Sequence, residues 1–280
     1  IKFNIFLKDY LIISLLLFFL GFLDDLKVKI SPNIRLVIML LILAFCVNIF
    51  SIQITRSGLE FLNTWLENNI FQLCFVLLCF LFIINGANLI DGYNGLLAIH
   101  FLIINFILLG INLVNQNPQI ATILIAQIVI IFSFLLFNFP KAKIFLGDAG
   151  SYLCGSLLAI NIVKSHQLNP EVSAFFYSSI LFYLFYEVFF SFVRKSIKKK
   201  SPLIPDKLHL HMLLYNILLK SKKITNPNYK TSVLVNSAYF LLIVPSIYLQ
   251  KNEIFSRYYF FFLIVFYTFI YYFLVKYKKK

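Results

Sequence analysis

Charge is what this sequence has least of. Only 13% of its 280 residues are Asp, Glu, Lys or Arg, about half the share of an ordinary soluble domain. Acids are the scarcer sign: 11 Asp and Glu stand against 25 Lys and Arg, for a formal net charge of +14. Glycine and proline are also few, at nine and eight, while 61% of the chain is hydrophobic. That composition excludes a disordered or collagen-like chain. The four cysteines, Cys46, Cys74, Cys79 and Cys154, all lie in apolar runs and form no CxxC pair. They exclude a disulfide framework and read as small buried hydrophobes. The roughly ten-residue alternating segments of a membrane β-barrel are missing. So is a signal-peptide flank: the chain opens on Ile1, within a few residues of an apolar run, which reads as an N-terminal fragment.

What is present is long apolar runs, with a mean hydropathy of +0.88. Windows of about 20 residues give nine candidate spans, at 5–23, 33–51, 70–87, 95–114, 120–138, 150–164, 172–193, 231–249 and 257–275. The expected fold is all-α and polytopic, because a backbone in lipid must satisfy its own hydrogen bonds. The sixth span is short and carries Gly150 and Gly155, so it is expected to be tilted or broken at one end. No inverted repeat of the transporter kind is visible.

Nine spans divide the loops into two alternating sets. One set comprises 24–32, 88–94, 139–149, 194–230 and the tail from 276, with Arg35 at its edge. It holds nineteen of the 25 basic residues, ten of them between Arg194 and Lys230 and four in the tail. The other holds Lys2, Lys8, Arg56, Lys164, Lys251 and Arg257. The positive-inside rule makes the first set, and the C-terminus, cytoplasmic. The basic excess is thus a topology signal and an attraction to the lipid bilayer, not a nucleic-acid signature. The acids on that face are all Asp: Asp24, Asp25, Asp91, Asp148 and Asp206.

Four constellations surround these acids. The run Gly21-Phe-Leu-Asp24-Asp25-Leu-Lys27 places adjacent carboxylates at a helix end, where they repel unless a divalent cation or a proton is handled there. The ordinary alternative is a solvated helix terminus. In Asn85-Gly-Ala-Asn88-Leu-Ile-Asp91-Gly92-Tyr-Asn94-Gly95, Asn88 and Asp91 share a helix face, and the glycines allow a tight turn and close approach by a phosphate. The alternative is an ordinary Asp-Gly turn. In Asn138-Phe-Pro-Lys-Ala-Lys-Ile-Phe145-Leu-Gly147-Asp148, Asp148 is a hard oxygen ligand of the type Mg²⁺ uses beside phosphates, or the N-cap of the following helix. In Pro205-Asp206-Lys-Leu-His209-Leu-His211, two histidines at i and i+2 fit a bent or extended stretch near phosphate, and zinc is disfavoured for want of further ligands. Residues 208–219, followed by Lys220, Lys222 and Lys223, suggest a short helix on the lipid surface. Glu187 sits inside a span and reads as a hydrogen bond between helices. His100 and His166 receive no role.

In this order the motifs resemble those of the polyprenyl-phosphate N-acetylhexosamine-1-phosphate transferases, glycosyltransferase family 4, related to the phospho-N-acetylmuramoyl-pentapeptide transferases. The stretch from Gly21 through Ile30-Ser-Pro-Asn-Ile-Arg35-Leu36 is most like the branch serving O-antigen, enterobacterial-antigen or teichoic-type glycans. The resemblance runs from the first residues to about His211. It implies one integral membrane transferase domain over 1–280, with 194–230 as a long basic cytoplasmic loop. Two helices of the family's eleven would precede it.

By position, the resemblance makes Asp24, Asp25, Asp91, His209 and His211 catalytic. Asn85, Asn88, Gly92, Asn94, Asn138 and Phe145 would bind substrate, the last four around uracil. Asp148, with Asn88, would hold Mg²⁺, with Mn²⁺ as a substitute. Asn94 stands where relatives often have an acid, and Met212 where many have a third His. The implied reaction joins undecaprenyl phosphate to the β-phosphorus of a UDP-N-acetyl sugar and releases UMP, at the bacterial inner membrane. A homodimer is implied as well. The competing readings are a transporter or channel, which needs ionisable groups near mid-bilayer, a CDP-alcohol transferase, whose expected Asp-Gly…Ala-Arg…Asp cluster is missing, and an inactive truncated remnant.

Overall fold

The computed structural model describes residues 2–28, 30–202, 204, 206–221 and 224–279, and side chains from residue 7 to residue 277 within them. Ile1, Pro205, Lys222 and Lys223, named above, lie outside the described residues, as do the side chains of Lys2 and of the last tail lysines. Every regular element among the described residues is helical. In chain order they are α1 (Lys2–Asp25), α2 (Pro32–Ile49), α3 (Glu60–Leu66), α4 (Asn69–Ile90), α5 (Leu96–Val114), α6 (Pro118–Asn138), α7 (Gly147–Leu168), α8 (Ala174–Ile197), α9 (Leu210–Lys220), α10 (Pro227–Leu249) and α11 (Glu253–Lys279).

Local signals set the helix starts. Ser31 caps α2 by accepting from the Ile34 N–H, and Pro32 occupies the first helical turn, where a missing N–H costs nothing. Asn68 accepts from the Ile70 and Phe71 N–H groups at the start of α4. Ser173 does the same for α8 through the Phe175 N–H. Pro118 and Pro227 open α6 and α10.

Nine helices of 18 residues or more match the nine expected spans in order, but only seven of the described helices are long and apolar enough to cross a membrane: α2, α4, α5, α6, α8, α10 and α11. Of the other two, α1 and α7, the second differs for a reason the fold supplies. α7 is surrounded by protein: it packs most extensively against α1 and α4 and also touches α5, α6 and α8. Its polar residues face those neighbours instead of lipid. Asn161 donates to Asn105 of α5 at 2.9 Å and to Gln127 of α6 at 2.7 Å, and Asn105 donates to Gln127 at 3.2 Å. Lys164 forms an ion pair with Asp9 of α1. Ser151, Ser156 and Ser165 are buried. The expectation of a short, broken sixth span is therefore corrected. α7 is one continuous 22-residue helix, whose low hydropathy comes from protein contact on all sides.

Two short helices complete the fold. α3 lies in the 52–68 connection, where no element was expected. α9 falls where a lipid-surface helix was anticipated, but it buries His211, Leu213 and Leu218 and packs on α10 and α11, so one face is docked on protein. All four cysteines are free. Cys46 and Cys154 are buried, Cys79 is half-buried and Cys74 is exposed, so the buried reading fails at Cys74.

Candidate active site

The ends of α1, α2, α4 and α7 meet at one pole of the molecule. Gly21 permits the approach of α1 to α7: a Cβ there would run into the Asp148 carbonyl and the Ala149 nitrogen. Four residues later α1 ends on Asp25, whose Oδ1 accepts from the Asp148 N–H at 2.9 Å and whose Oδ2 accepts from the Ala149 N–H at 3.0 Å. Asp25 is thus the cap of α7 from another helix. The residue before α7, Leu146, offers no side-chain cap. The carboxylate also meets the positive end of the helix dipole. Gly147 adopts φ +66°, and a Cβ on it would strike the Asp25 carboxylate. The expectation that Asp148 caps α7 is corrected, because Asp148 lies inside the first turn with its carboxylate pointing elsewhere.

That carboxylate is bound from two directions. Asn88 of α4 donates to Asp148 Oδ1 at 2.6 Å and to Ser151 Oγ at 3.0 Å, which leaves Asn88 Oδ1 free of those two bonds. Arg35, in the first turn of α2, holds its Nη1 3.5 Å from Asp148 Oδ2 and forms an ion pair with Asp24. The guanidinium carbon lies 5.9 Å from the ring centre of Tyr152. Asp91 follows the last residue of α4. Burial, then the negative charges of Asp148 and Asp25, push its carboxyl up to about 7. This pole carries more carboxylate than Arg35 can neutralise.

Beside it, the 91–95 turn is tied to its neighbours. Gly95 adopts φ +77° before α5, and its N–H donates to Asn138 Oδ1 at 2.6 Å. Asn138 Nδ2 donates to the Ile144 carbonyl at 2.8 Å. Asn94 donates through its side chain to the Pro140 carbonyl at 2.9 Å, and its N–H donates to Asn228 Oδ1 at 2.8 Å. Asn94 and Asn138 therefore fasten the α4–α5 turn to the α6–α7 loop. Open space surrounds the Gly92 Cα, and Phe145 is 76% exposed. Asn85 lies apart: its amide donates to the Leu81 carbonyl at 2.8 Å and contacts Met39 Sδ of α2 at 3.9 Å.

The histidine stretch closes the other side. His209 is extended (φ −82°, ψ 152°) and precedes α9, while His211 lies in its first turn. The bend expected from the i, i+2 spacing is what puts both rings on one side, stacked with 9° between planes. The Tyr93 ring meets His211 edge-on at 5.8 Å and joins this stretch to the Asp91 turn. Asp206 receives Arg194 Nη2 at 3.0 Å and the Leu208 N–H at 3.1 Å. Burial alone would raise its carboxyl, but these donors hold it below the usual range.

Residues 9–166 match the family model for glycosyl transferase family 4, more than half of the chain. The chain belongs to this family. It is 30% identical over 207 residues to the undecaprenyl-phosphate alpha-N-acetylglucosaminyl 1-phosphate transferase of Thermotoga maritima, covering 73% of this chain and 60% of that protein. It is 27% identical over 198 residues to the phospho-N-acetylmuramoyl-pentapeptide-transferase of Clostridioides difficile, covering 66% of this chain and 62% of the relative. The corresponding protein of Clostridium beijerinckii is 31% identical over 150 residues, covering 50% of this chain and 46% of the relative. The chain thus spans about half to three-fifths of the length of these relatives.

Within this glycosyl transferase family 4 pole, sequence reasoning singled out the acids and missed most of their partners. Arg35 entered only as a topology charge and part of a motif. Its signal was a lone cation in the first turn of an apolar helix. Ser151 and Tyr93 sat beside named residues without a role of their own. Tyr183, whose hydroxyl lies 3.3 Å from His211 Nδ1, carried no signal at all.

Proposed function

We propose that this chain transfers N-acetylhexosamine 1-phosphate from a UDP-sugar to undecaprenyl phosphate and releases UMP, at the cytoplasmic face of a bacterial plasma membrane. The observation that carries this reading is the convergence of Asp148, Asn88, Asp24 and Arg35 at the ends of four helices of a multi-pass membrane protein. The Thermotoga relative, named for undecaprenyl phosphate and an N-acetylglucosaminyl 1-phosphate group, supports the substrates. A phosphate oxygen of the lipid forms a bond to the β-phosphorus, and the bond from that phosphorus to UMP breaks. Little covalent chemistry falls to the protein in such a transfer. Positioning and charge neutralisation carry it.

The donor set suits Mg²⁺. Among the described residues no three His, Cys, Asp or Glu form a ready cage, and Mg²⁺ takes one or two carboxylates plus substrate phosphates and water. Asp148 and Asn88 Oδ1 would hold it, where uncompensated carboxylate charge awaits a cation. When bound it would neutralise charge on the diphosphate and on departing UMP. Arg35 adds a fixed positive charge for phosphate oxygens. Asp25, occupied in capping α7, orients Asp148. Asp24, paired with an exchangeable arginine, is the member of the acid pair left to meet the lipid phosphate. Exposed Phe145 offers a ring to a base.

Membranes carrying the protein, supplied with UDP-N-acetylglucosamine, undecaprenyl phosphate and Mg²⁺, should release UMP, and chelation should stop release until Mg²⁺ or Mn²⁺ is restored. Asp148→Asn should lower the rate by about 100-fold or more, on the scale of losing one electrostatic group. An unchanged rate in that variant would remove Asp148 from the metal site. No UMP release from any UDP-N-acetylhexosamine would end the transferase reading.

A further inference from the structure

One acid stands outside the Asp cluster. Glu187, in α8, is 1% exposed, and such a carboxylate persists in a span only when its neighbours satisfy it. The neighbours here are the histidine stretch. Glu187 Oε2 lies 3.1 Å from His209 Nδ1. Oε1 accepts the Leu210 N–H at 2.9 Å and lies 3.7 Å from His211 Nδ1. Tyr183, one turn before Glu187 on α8, places its hydroxyl 3.3 Å from the same His211 nitrogen. One carboxylate therefore touches every residue from His209 to His211.

We infer that Glu187 is the positioning residue of the histidine pair, fixing which edge of each ring faces the site. With the His209 Nδ1–H directed at Glu187, and His211 Nδ1 directed at the Tyr183 hydroxyl with the carboxylate just behind it, the Nε2 edge of each ring is turned the other way. His209 Nε2 lies 3.5 Å from Asp206 Oδ1. His211 Nε2 is fully buried with no hydrogen-bond partner, although its ring adjoins Tyr93 of the Asp91 turn. A buried polar edge without a partner is costly unless something arrives to meet it. In the transferase reading, on which this inference rests, that arrival is a phosphate oxygen of the donor, which accepts from Nε2–H once the ring, held at Nδ1, carries a proton on both nitrogens. Glu187 touches no substrate in this scheme and acts through the imidazoles, as carboxylates behind metal-bound histidines do.

The pairing can be tested without activity. The chain holds four histidines, so ring-¹⁵N histidine labelling of the detergent-solubilised protein gives four ring systems, assigned by single His→Gln variants. His209 and His211 should both carry a proton on Nδ1. A neutral ring protonated only on Nε2 at both positions overturns the inference. In membranes, Glu187→Gln should lower kcat for UMP release about 10- to 100-fold and change KM for the UDP-sugar less than about threefold. Combined with His211→Gln it should add little beyond His211→Gln alone, whereas losses that multiply would show that Glu187 acts independently of the pair. If Glu187→Gln fails to accumulate in membranes, Glu187→Asp, which keeps the charge, replaces it in the same cycle. Absence of UMP release from wild-type membranes would strike the transferase reading, while the ¹⁵N result would still decide the pairing.

Discussion

At the residue scale, adjacency in sequence turned out to be separation in role. Asp24 and Asp25 read as one coupled acid pair. Successive helix residues point about 100° apart, and the structure sends Asp25 to the first turn of α7 and Asp24 to Arg35. The carboxyl pushed up to about 7 is that of Asp91. An acid whose carboxyl titrates higher in the folded state than in the unfolded chain favours folding at low pH, and that contribution fades as pH rises from about 4 toward about 7. In metal-free buffer, the thermal midpoint of the wild type should therefore fall relative to Asp91→Asn between pH 5 and pH 8. Added Mg²⁺ should close the gap by supplying the missing positive charge. A midpoint difference independent of pH would show that Asp91 is not strained by its neighbours. Glu187 shows the limit of residue-level reading. Its buried, hydrogen-bonded state was legible from its place in an apolar run, but its histidine partners lie more than 20 residues away, beyond any local pattern.

At the scale of elements, hydropathy located helices in proportion to their contact with lipid. α4, α5 and α6 emerge within a few residues of the expected bounds, because their outer faces are apolar and their starts carry Asn68, Gly95 and Pro118. α7 was read as short because Ser151, Ser156, Asn161, Lys164 and Ser165 lower its hydropathy, and each faces protein. The Asn105–Gln127–Asn161 cluster links α5, α6 and α7 by side-chain hydrogen bonds. Asn161→Leu leaves Asn105 Oδ1 and Gln127 Nε2 without these partners. The expected loss is about 1–3 kcal/mol, seen as a lower thermal midpoint in detergent. A partial repair is expected when Asn105 and Gln127 are also made apolar, since unsatisfied partners, not missing attraction, carry most of the penalty. Equal losses in single and triple variants would contradict that account.

For the whole molecule, the distribution of charge and the distribution of chemistry point the same way. Asp148, Asp91, Asp25 and the histidine stretch share one pole, and the basic loops flank it. The opposite pole holds α3 and the 52–68 connection, separated from Asp91 by the 22 residues of α4, about 33 Å at helical rise. The motifs were legible as separate loops on one face. Their mutual contacts were not, because Gly21 against α7 and Asn138 against the Gly95 turn are long-range fits without a local sequence signature. The orientation itself rests on the count of Lys and Arg and yields a direct expectation. The four native cysteines lie within α2, α4 and α7, with Cys74 exposed near the start of α4, so the labelling is read in a Cys74→Ser background. A cysteine placed at exposed Glu60 should be labelled in intact cells, and one placed at exposed Ser201 only after the membrane is opened. The reverse pattern would put the Asp pole outside the cytosol, where no supply of nucleotide sugar reaches it, and the proposed reaction would lose its donor.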